Sequence, residues 1–79
     1  MKYRVEMEPL AGHYVVALKD PKTGDIVKVF SVNASAAEMI RLFLDGLDIE
    51  AIARVISEKY GAPYIRVRTD AEALFKKWN

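Results

Sequence analysis

The side chains that could do chemistry are few and scattered along this sequence. His13 is the one histidine, and with no cysteine in the chain it has no partner for a metal site or a nucleophile–base pair. Glu6 and Glu8, and likewise Asp45 and Asp48, are pairs of carboxylates that could serve acid–base catalysis. Their positions on a strand pattern and around a helix start are ordinary for surface acids and caps. The sequence therefore predicts no catalytic residue and no metal ligand.

Composition excludes further classes of site. The glycines Gly24, Gly46 and Gly61 are isolated and are not followed by the lysine–hydroxyl pair of a phosphate loop, so no cofactor is predicted. The lack of cysteine excludes disulfides and thiolate catalysis, and it fits a cytoplasmic protein. The N-terminal residues alternate charged and apolar character, and no apolar run approaches the ~20 residues that cross a bilayer. A net charge of +1 disfavours nucleic-acid binding.

The chain has 79 residues, 52% of them hydrophobic, which predicts a single domain with its own core. The elements that position any site in it begin with three predicted strands. Alternation predicts a strand over about residues 2–8, followed by a turn bounded by Pro9 and Gly12. A run rich in β-formers predicts a central strand over about 13–19. Proline and glycine predict a turn over 20–25, and a third strand follows over about 25–32. These strands form an antiparallel meander with the second strand in the middle.

Two helices are predicted next, over about 35–45 and 48–60. Ser35 and Glu38 form the pattern of a capping box, and Asp48 is placed to cap the second helix. Gly46 and Gly61 are expected to end the two helices. Apolar residues recur at helical spacing and predict the inward faces. These inward residues are Ala36, Met39, Ile40, Phe43 and Leu44 on the first helix and Ile49, Ile52, Ala53, Ile56 and Tyr60 on the second.

The last segment has two interpretations. Residues 65–69 alternate like a strand, and Thr69 with Glu72 could form a capping box that starts a helix later. A single helix over about 63–78 is the preferred prediction, because it places an apolar set on one face. That set comprises Val67, Ala71, Leu74, Phe75 and Trp78.

The third strand is predicted to leave one edge of the sheet unpaired. Such an edge offers a row of amide and carbonyl groups to another extended chain, although Lys28 could serve only to protect it. Regular alternation places Val27, Val29 and Ser31 on one face of the sheet, and Ile26, Lys28, Phe30 and Val32 on the other. Helices can cover one face, so apolar side chains on the opposite face are expected to be exposed or to meet a partner.

Several of these motifs together resemble the PqqD-like family, the RiPP recognition elements named for pyrroloquinoline quinone (PQQ) synthesis protein D. The resemblance covers roughly residues 14–78. It is carried by the segments Val32-Asn33-Ala34-Ser35-Ala36, Asp45-Gly46, Ile52-Ala53 and Lys59-Tyr60-Gly61, and by Asp70 followed by Leu74-Phe75. Asp48 stands where the family usually has threonine. The family usually continues past the third helix with a few more apolar residues, whereas this sequence stops at Asn79, so the groove floor is expected to be shorter.

The resemblance implies an α+β fold in which the meander precedes a three-helix, winged-helix-like bundle. It also implies a non-catalytic adaptor that holds the leader segment of a ribosomally made precursor peptide and presents it to a modifying enzyme, such as a radical SAM protein. The peptide would add as a strand to the third strand and lie against the third helix. The implied binding residues are Val27, Lys28, Val29, Phe30, Ser31, Arg66, Arg68, Asp70, Phe75 and Lys77.

Two other functions remain open from the sequence. A winged-helix DNA-binding protein would insert the second helix into the major groove, but the exposed face of that helix carries only Arg54 and Lys59 beside Glu50 and Glu58. A structural module could instead form a homodimer through the strand edges. On the third helix, one flank holds Tyr64, Arg68 and Phe75. The other flank holds Pro63, Arg66, Asp70 and Lys77, and the sequence does not decide which flank would face a peptide.

Overall fold

A computed structural model of the chain describes residues 3–76. Three antiparallel strands are followed by three helices, which confirms the predicted α+β arrangement. The predicted end positions Lys2, Lys77 and Trp78 lie outside the described residues. The chain divides between Ala37 and Glu38 into two compact units, and each is described by itself. The elements are β1 (Arg4–Leu10), β2 (His13–Lys19), β3 (Ile26–Val32), α1 (Ala34–Leu44), α2 (Ile49–Tyr60) and α3 (Tyr64–Lys76).

The first hairpin is tighter than the sequence predicted. β1 continues through Pro9, which lies opposite Tyr14 on β2, and the turn consists only of Ala11 and Gly12. Both turn residues have positive φ, 50° and 87°, as a two-residue hairpin of type I′ requires. The prediction that Pro9 ends the strand is therefore wrong. Proline is tolerated on an edge strand where its missing N–H would point away from the sheet.

The second hairpin confirms the turn predicted over residues 20–25. The Asp20 carboxylate accepts hydrogen bonds from the backbone N–H of Lys22 and Thr23, at 2.8 and 3.3 Å. Gly24 has a φ of 78°, and its N–H donates to the Asp20 carbonyl. This local bonding replaces the strand ladder where the chain reverses.

A register shift follows this turn at the start of β3. Leu18 pairs with Lys28, but Lys19 pairs with Ile26, so Val27 is the extra residue of a β-bulge. The shift places Ile26 with Lys19 and Ala17, on the face that also carries Val29. The predicted placement of Ile26 on the opposite face is wrong, because a bulge interrupts the period-two alternation.

The two faces of the sheet differ in burial. Val16 and Leu18 are fully buried on one face. The opposite face carries Val15 and Ala17, which are only half-buried. We call this second surface the open face; it comprises Glu6, Glu8, Val15, Ala17, Lys19, Ile26, Val29 and Ser31.

The start of α1 differs from the predicted capping box. Asn33, not Ser35, is the capping residue: its side-chain oxygen accepts from the backbone N–H of Ala36 at 2.9 Å. The Ser35 hydroxyl donates to the same oxygen at 3.0 Å. The helix therefore begins one residue earlier than predicted, at Ala34. Glu38 is then in the helix interior, where its carboxylate makes other contacts.

The other predicted helix ends are confirmed. Gly46 follows α1 with a φ of 98°, and the carboxylate of Asp48 caps α2 by accepting from the Ala51 N–H at 2.8 Å. Gly61 ends α2 in the left-handed conformation, with a φ of 66°. These caps satisfy backbone groups that a helix end leaves unpaired.

The inward faces are largely as predicted, with exceptions at the helix ends. Leu44 and Tyr60 are exposed, so their assignment to the core is wrong; each lies in the last turn of its helix. On α1, Ala37 is buried, whereas Ala36 is only half-buried. The buried residues of the second unit are Met39, Ile40, Ile52, Ala53, Ile56, Val67, Ala71, Leu74 and Phe75.

α3 is one continuous helix from Tyr64 to Lys76, so the interpretations as a strand or as a later start at Thr69 are wrong. The Thr69 hydroxyl donates to the carbonyl of Ile65 at 2.9 Å, four residues back within the helix, and does not cap one. Burial of the apolar face outweighs the strand-like alternation of residues 65–69. None of the helices in the described part of the chain is long and apolar enough to cross a bilayer.

Candidate functional site

The candidate site begins at the outer edge of β3, which pairs with β2 alone among the described residues. The direction of its backbone groups follows from the turn beside it. Asp20 donates its N–H to the carbonyl of Asp25 at 2.9 Å, so its backbone groups point towards β3. Backbone N–H and C=O groups alternate in direction from one residue of a strand to the next. Those of Leu18 and Val16 therefore also point towards β3.

The β3 residues opposite Leu18 and Val16 must direct their backbone N–H and C=O groups back towards β2. These are Lys28 and Phe30. Val29 and Ser31, which alternate with them, therefore direct their N–H and C=O groups away from the sheet. We call Val29 and Ser31 the outward residues of β3; together they give two sites where another strand could hydrogen-bond.

The side chains along this edge are mostly exposed. Val27 and Val29 are 54% and 55% exposed, which is unusual for valines on a strand. Lys28 is exposed and makes no ion pair within residues 3–76, whereas Phe30 is half-buried. Five of the predicted binding residues thus lie on one strand, and the edge they form has an apolar character with one positive charge.

The open face beside this edge contains a shallow concavity of about 190 Å³. It is lined by Glu6, Glu8, Val15, Ala17, Lys19 and Ile26. The ammonium of Lys19 lies 2.9 Å from the Glu6 carboxylate, and its hydrogen bond and charge lower the pKa of Glu6. The volume is below the ~300 Å³ at which small-molecule sites begin, so the concavity fits a side chain better than a cofactor.

The predicted residues of α3 separate onto two flanks. Arg68 lies on the flank that faces α2: its guanidinium is 3.6 Å from Glu50 of α2 and 3.2 Å from Glu72. The nearby Tyr64, followed by these carboxylates, raises the pKa of Arg68. Arg68 is therefore engaged within its own unit.

The opposite flank of α3 is free of such pairs. Arg66 and Asp70 are exposed, and neither makes a hydrogen bond or ion pair with the rest of the described chain. They are four residues apart and so lie on the same side of the helix. Lys77, predicted on this flank, lies outside the described residues. We call Arg66 and Asp70 the free flank.

Phe75 occupies a different position from the other predicted residues. It is only 5% exposed, and its ring stacks on that of Phe43 with centroids 4.4 Å apart. An aromatic pair of this kind contributes about 0.5–1.5 kcal/mol beyond the area it buries. The main contact of Phe75 is thus with the interior of the second unit, although its edge also lines a concavity.

That second concavity, about 520 Å³, lies where α2 begins and α3 ends. It is lined by Ile49, Glu72, Ala73, Phe75 and Lys76. It lacks a cluster of groups suited to catalysis, and no three histidine, aspartate or glutamate side chains gather as metal ligands anywhere within residues 3–76. His13 is exposed at the start of β2.

A polar cluster that the sequence did not predict joins α1 to the end of α2. Both Glu38 oxygens accept from the Lys59 ammonium at 2.9 Å, and one also accepts from the Tyr60 hydroxyl at 2.6 Å. The hydrogen bond from Tyr60, and then that from Lys59, lower the pKa of Glu38, while Glu38 raises that of Lys59. Lys59 and Tyr60 are more than twenty residues from Glu38 in the sequence, so local sequence patterns gave no signal of this cluster.

Ile26 was also missed as a candidate site residue. The bulge places Ile26 on the open face, where it is 60% exposed. No local sequence feature predicted the register shift that causes this. An exposed isoleucine beside an unpaired edge is the kind of apolar surface that marks an interaction site.

Comparison with known proteins gives one match. No curated protein and no solved structure matches the chain. The family model described as coenzyme PQQ synthesis protein D (PqqD) matches residues 15–79, a span that includes most of β2, all of β3 and all three helices. The chain therefore belongs to the PqqD family.

Proposed function

We propose that this protein is a non-catalytic peptide-binding adaptor. It holds the leader segment of a ribosomally made precursor peptide and presents it to a modifying enzyme such as a radical SAM maturase, in the cytoplasm. The PqqD family is associated with PQQ synthesis, and its members are generally accessory proteins without catalytic activity. The family match supports an accessory role in PQQ synthesis, and our proposal adds the binding of a leader peptide and its delivery to a modifying enzyme.

The observation that carries the proposal is the unpaired edge of β3. Soluble proteins usually blunt such an edge with charge or proline, yet here Val27 and Val29 are both more than half exposed. Backbone hydrogen bonds from the outward residues would supply affinity for any extended segment, and the neighbouring side chains would supply specificity.

The free flank of α3 supplies a second contact in this proposal. Arg66 and Asp70 have no partner in the described chain, whereas Arg68 is already held by Glu50 and Glu72. A peptide gains most from groups that are not already satisfied, because it does not have to break an existing ion pair. We therefore assign peptide contact to Arg66 and Asp70, and a structural role to Arg68.

The test is a titration of the ¹⁵N-labelled chain with the precursor peptide encoded nearest to its gene. The amide signals of Val29 and Ser31 should shift most, with a second group at Arg66 and Asp70. A folded protein whose amide signals do not move at high micromolar peptide would refute the adaptor role.

The two arginines of α3 give a matched pair of variants. Arg66→Ala should weaken peptide binding about threefold to tenfold while leaving the melting temperature unchanged, because a rim charge contributes chiefly to association. Arg68→Ala should leave the affinity unchanged and lower the melting temperature slightly, because it removes an ion pair between α3 and α2. The reverse pattern, measured by fluorescence anisotropy and thermal unfolding, would move the binding flank to the α2 side.

Two other functions make distinct predictions. A DNA-binding role would use the exposed face of α2, but Lys59 on that helix is held by Glu38. A gel shift with mixed-sequence duplex DNA should therefore show no complex. A homodimer through β3 would use the same unpaired edge, and sedimentation over a range of concentrations separates it from a monomer that binds peptide.

A further inference from the structure

The β-bulge at the start of β3 has a consequence for what the edge can recognise. Regular alternation would place Ile26 on the same face as Lys28, the face on which Val16 and Leu18 are buried. The extra residue, Val27, instead places Ile26 opposite Lys19, on the open face. Bulges commonly redirect a side chain at the edge of a sheet or beside a functional site.

The redirected side chain joins Val29 on one surface. On β2, Lys19 pairs with Ile26 and Ala17 pairs with Val29, so the two apolar side chains are two register steps apart on the open face. Ile26 is 60% exposed and Val29 55% exposed. On its inner side Ile26 lines the concavity with Val15 and Ala17, and on its outer side β3 has no neighbouring strand among residues 3–76.

An added strand would place alternate side chains beside this pair. Side chains that face each other across adjacent strands have their Cβ atoms about 4.5–5.5 Å apart, close enough for direct apolar contact. Every second residue of the added strand projects onto the open face, so two of its residues, separated by one, would contact Ile26 and Val29.

We propose that Ile26, turned outward by the bulge, acts with Val29 as the specificity determinant of the strand-binding edge. The pair selects a peptide segment of the form apolar–x–apolar, with branched or aromatic side chains at the two apolar positions. This inference rests on the proposed function, and it adds the side-chain chemistry of the peptide and a residue that regular strand geometry would not place there.

Selection from a library of random peptides tests the inference directly. The whole chain is immobilised and used to select binders from an mRNA-displayed library of random 12-residue peptides. The recovered sequences should share two apolar residues separated by one. The best binder is then synthesised, together with two versions that carry serine at one or the other apolar position.

The residue assignment is tested by crossing these peptides with protein variants. Ile26→Ser should weaken the apolar peptide by about twofold to fivefold, as expected for one cross-strand apolar pair. It should have no effect on the peptide that already carries serine at the position facing Ile26. Ile26→Val should bind as the unaltered chain does. Val55→Ser, at an exposed position of α2, is the matched control and should change neither affinity nor preference.

The outcomes separate this inference from the adaptor function. Val29→Pro, which removes an outward N–H of β3, tests the strand edge itself. If this variant weakens binding by about tenfold or more but Ile26→Ser weakens all three peptides equally or none of them, the adaptor function stands and the role of Ile26 is refuted. If the selection yields no binder, or if Val29→Pro binds normally, the strand-edge site itself is refuted. Circular dichroism of each variant establishes that a loss of binding is not a loss of fold.

Discussion

Both outer strands of the sheet direct backbone groups away from it, but the two edges differ in how far proline and charged side chains protect these groups. In the two-residue hairpin, Leu10 and His13 form the closing pair that exchanges hydrogen bonds. Alternation then directs the backbone groups of Pro9, Met7 and Val5 away from the sheet. Proline has no N–H to offer, so the β1 edge lacks one of its three outward donors.

The β3 edge keeps all of its donors. Val29 and Ser31 each retain an outward N–H, and Lys28 is the one charged side chain among residues 26–32. Along β1, by contrast, Arg4, Glu6 and Glu8 alternate with the outward residues. The difference teaches that one sheet can combine an edge protected by proline and by alternating charges with an edge that has no proline and a single charge.

The largest expected effect comes from placing proline on each edge. Val29→Pro removes an outward N–H without removing a ladder bond to β2, so the fold should persist while a buried peptide carbonyl loses its donor. An unsatisfied buried group of this kind should weaken binding by about tenfold or more. Met7→Pro makes the same change on β1 and should leave the dissociation constant unchanged. Equal losses from both variants would show that the edges do not differ in function.

Amide hydrogen exchange distinguishes the same edges without mutation. In the free protein, the amides of Val29 and Ser31 should exchange faster than those of Lys28 and Phe30, which donate to β2. With the peptide at nine-tenths saturation, exchange at Val29 and Ser31 should slow roughly tenfold, because it then proceeds only through the unbound fraction. The Val5 and Met7 amides should not change. Protection that spreads to β1 would contradict a peptide bound at β3.

The turns that hold the edges should respond to substitution with opposite signs. Ala11 has a φ of 50°, a conformation that disfavours residues other than glycine and asparagine. Ala11→Asn should therefore stabilise the protein by about 0.5–1 kcal/mol. At the β2–β3 turn, Gly24 has a φ of 78°, and Gly24→Ala should destabilise by about 1 kcal/mol. Urea unfolding measures both, and a gain from Gly24→Ala would contradict the turn geometry.

The smallest expected effect concerns the Glu6–Lys19 pair, which joins β1 to β2. Lys19 lowers the pKa of Glu6 from its ordinary 4.5, so the pair contributes stability above that value and loses it as the pH falls through the folded-state pKa. Glu6→Gln should lower the melting temperature slightly at pH 7 but not in strong acid. Glu8→Gln, which removes a carboxylate without an ion pair in the described chain, should show no such pH-dependent difference.

Local signals predicted most of the core and the helix ends correctly, except the cap of α1, where Asn33 takes the place predicted for Ser35. The helix ends at Asp48, Gly46 and Gly61 depend on contacts with residues about one helical turn away, so they can be predicted from the sequence. The errors at Leu44 and Tyr60 arose because periodicity extends an apolar face beyond the point where packing ends. The Glu38 cluster was missed because its partners lie on another helix, and spacing along the chain does not report contacts across helices.

The candidate site was only partly predictable for the same reason. The β3 edge and the α3 residues followed from the sequence pattern and the family resemblance, but the choice between Arg66 and Arg68 required the positions of Glu50 and Glu72. The exposed face of Ile26 required the register of β3 against β2.

The sequence by itself determined the order of strands and helices, the turn over residues 20–25 and the caps at Asp48, Gly46 and Gly61, because each depends on residues within a few positions of one another. The tertiary structure alone decided the bulge, the direction in which each edge residue presents its backbone, and which arginine of α3 is already paired. Register and ion pairing are relations between segments distant in the chain, and they are fixed by how those segments pack.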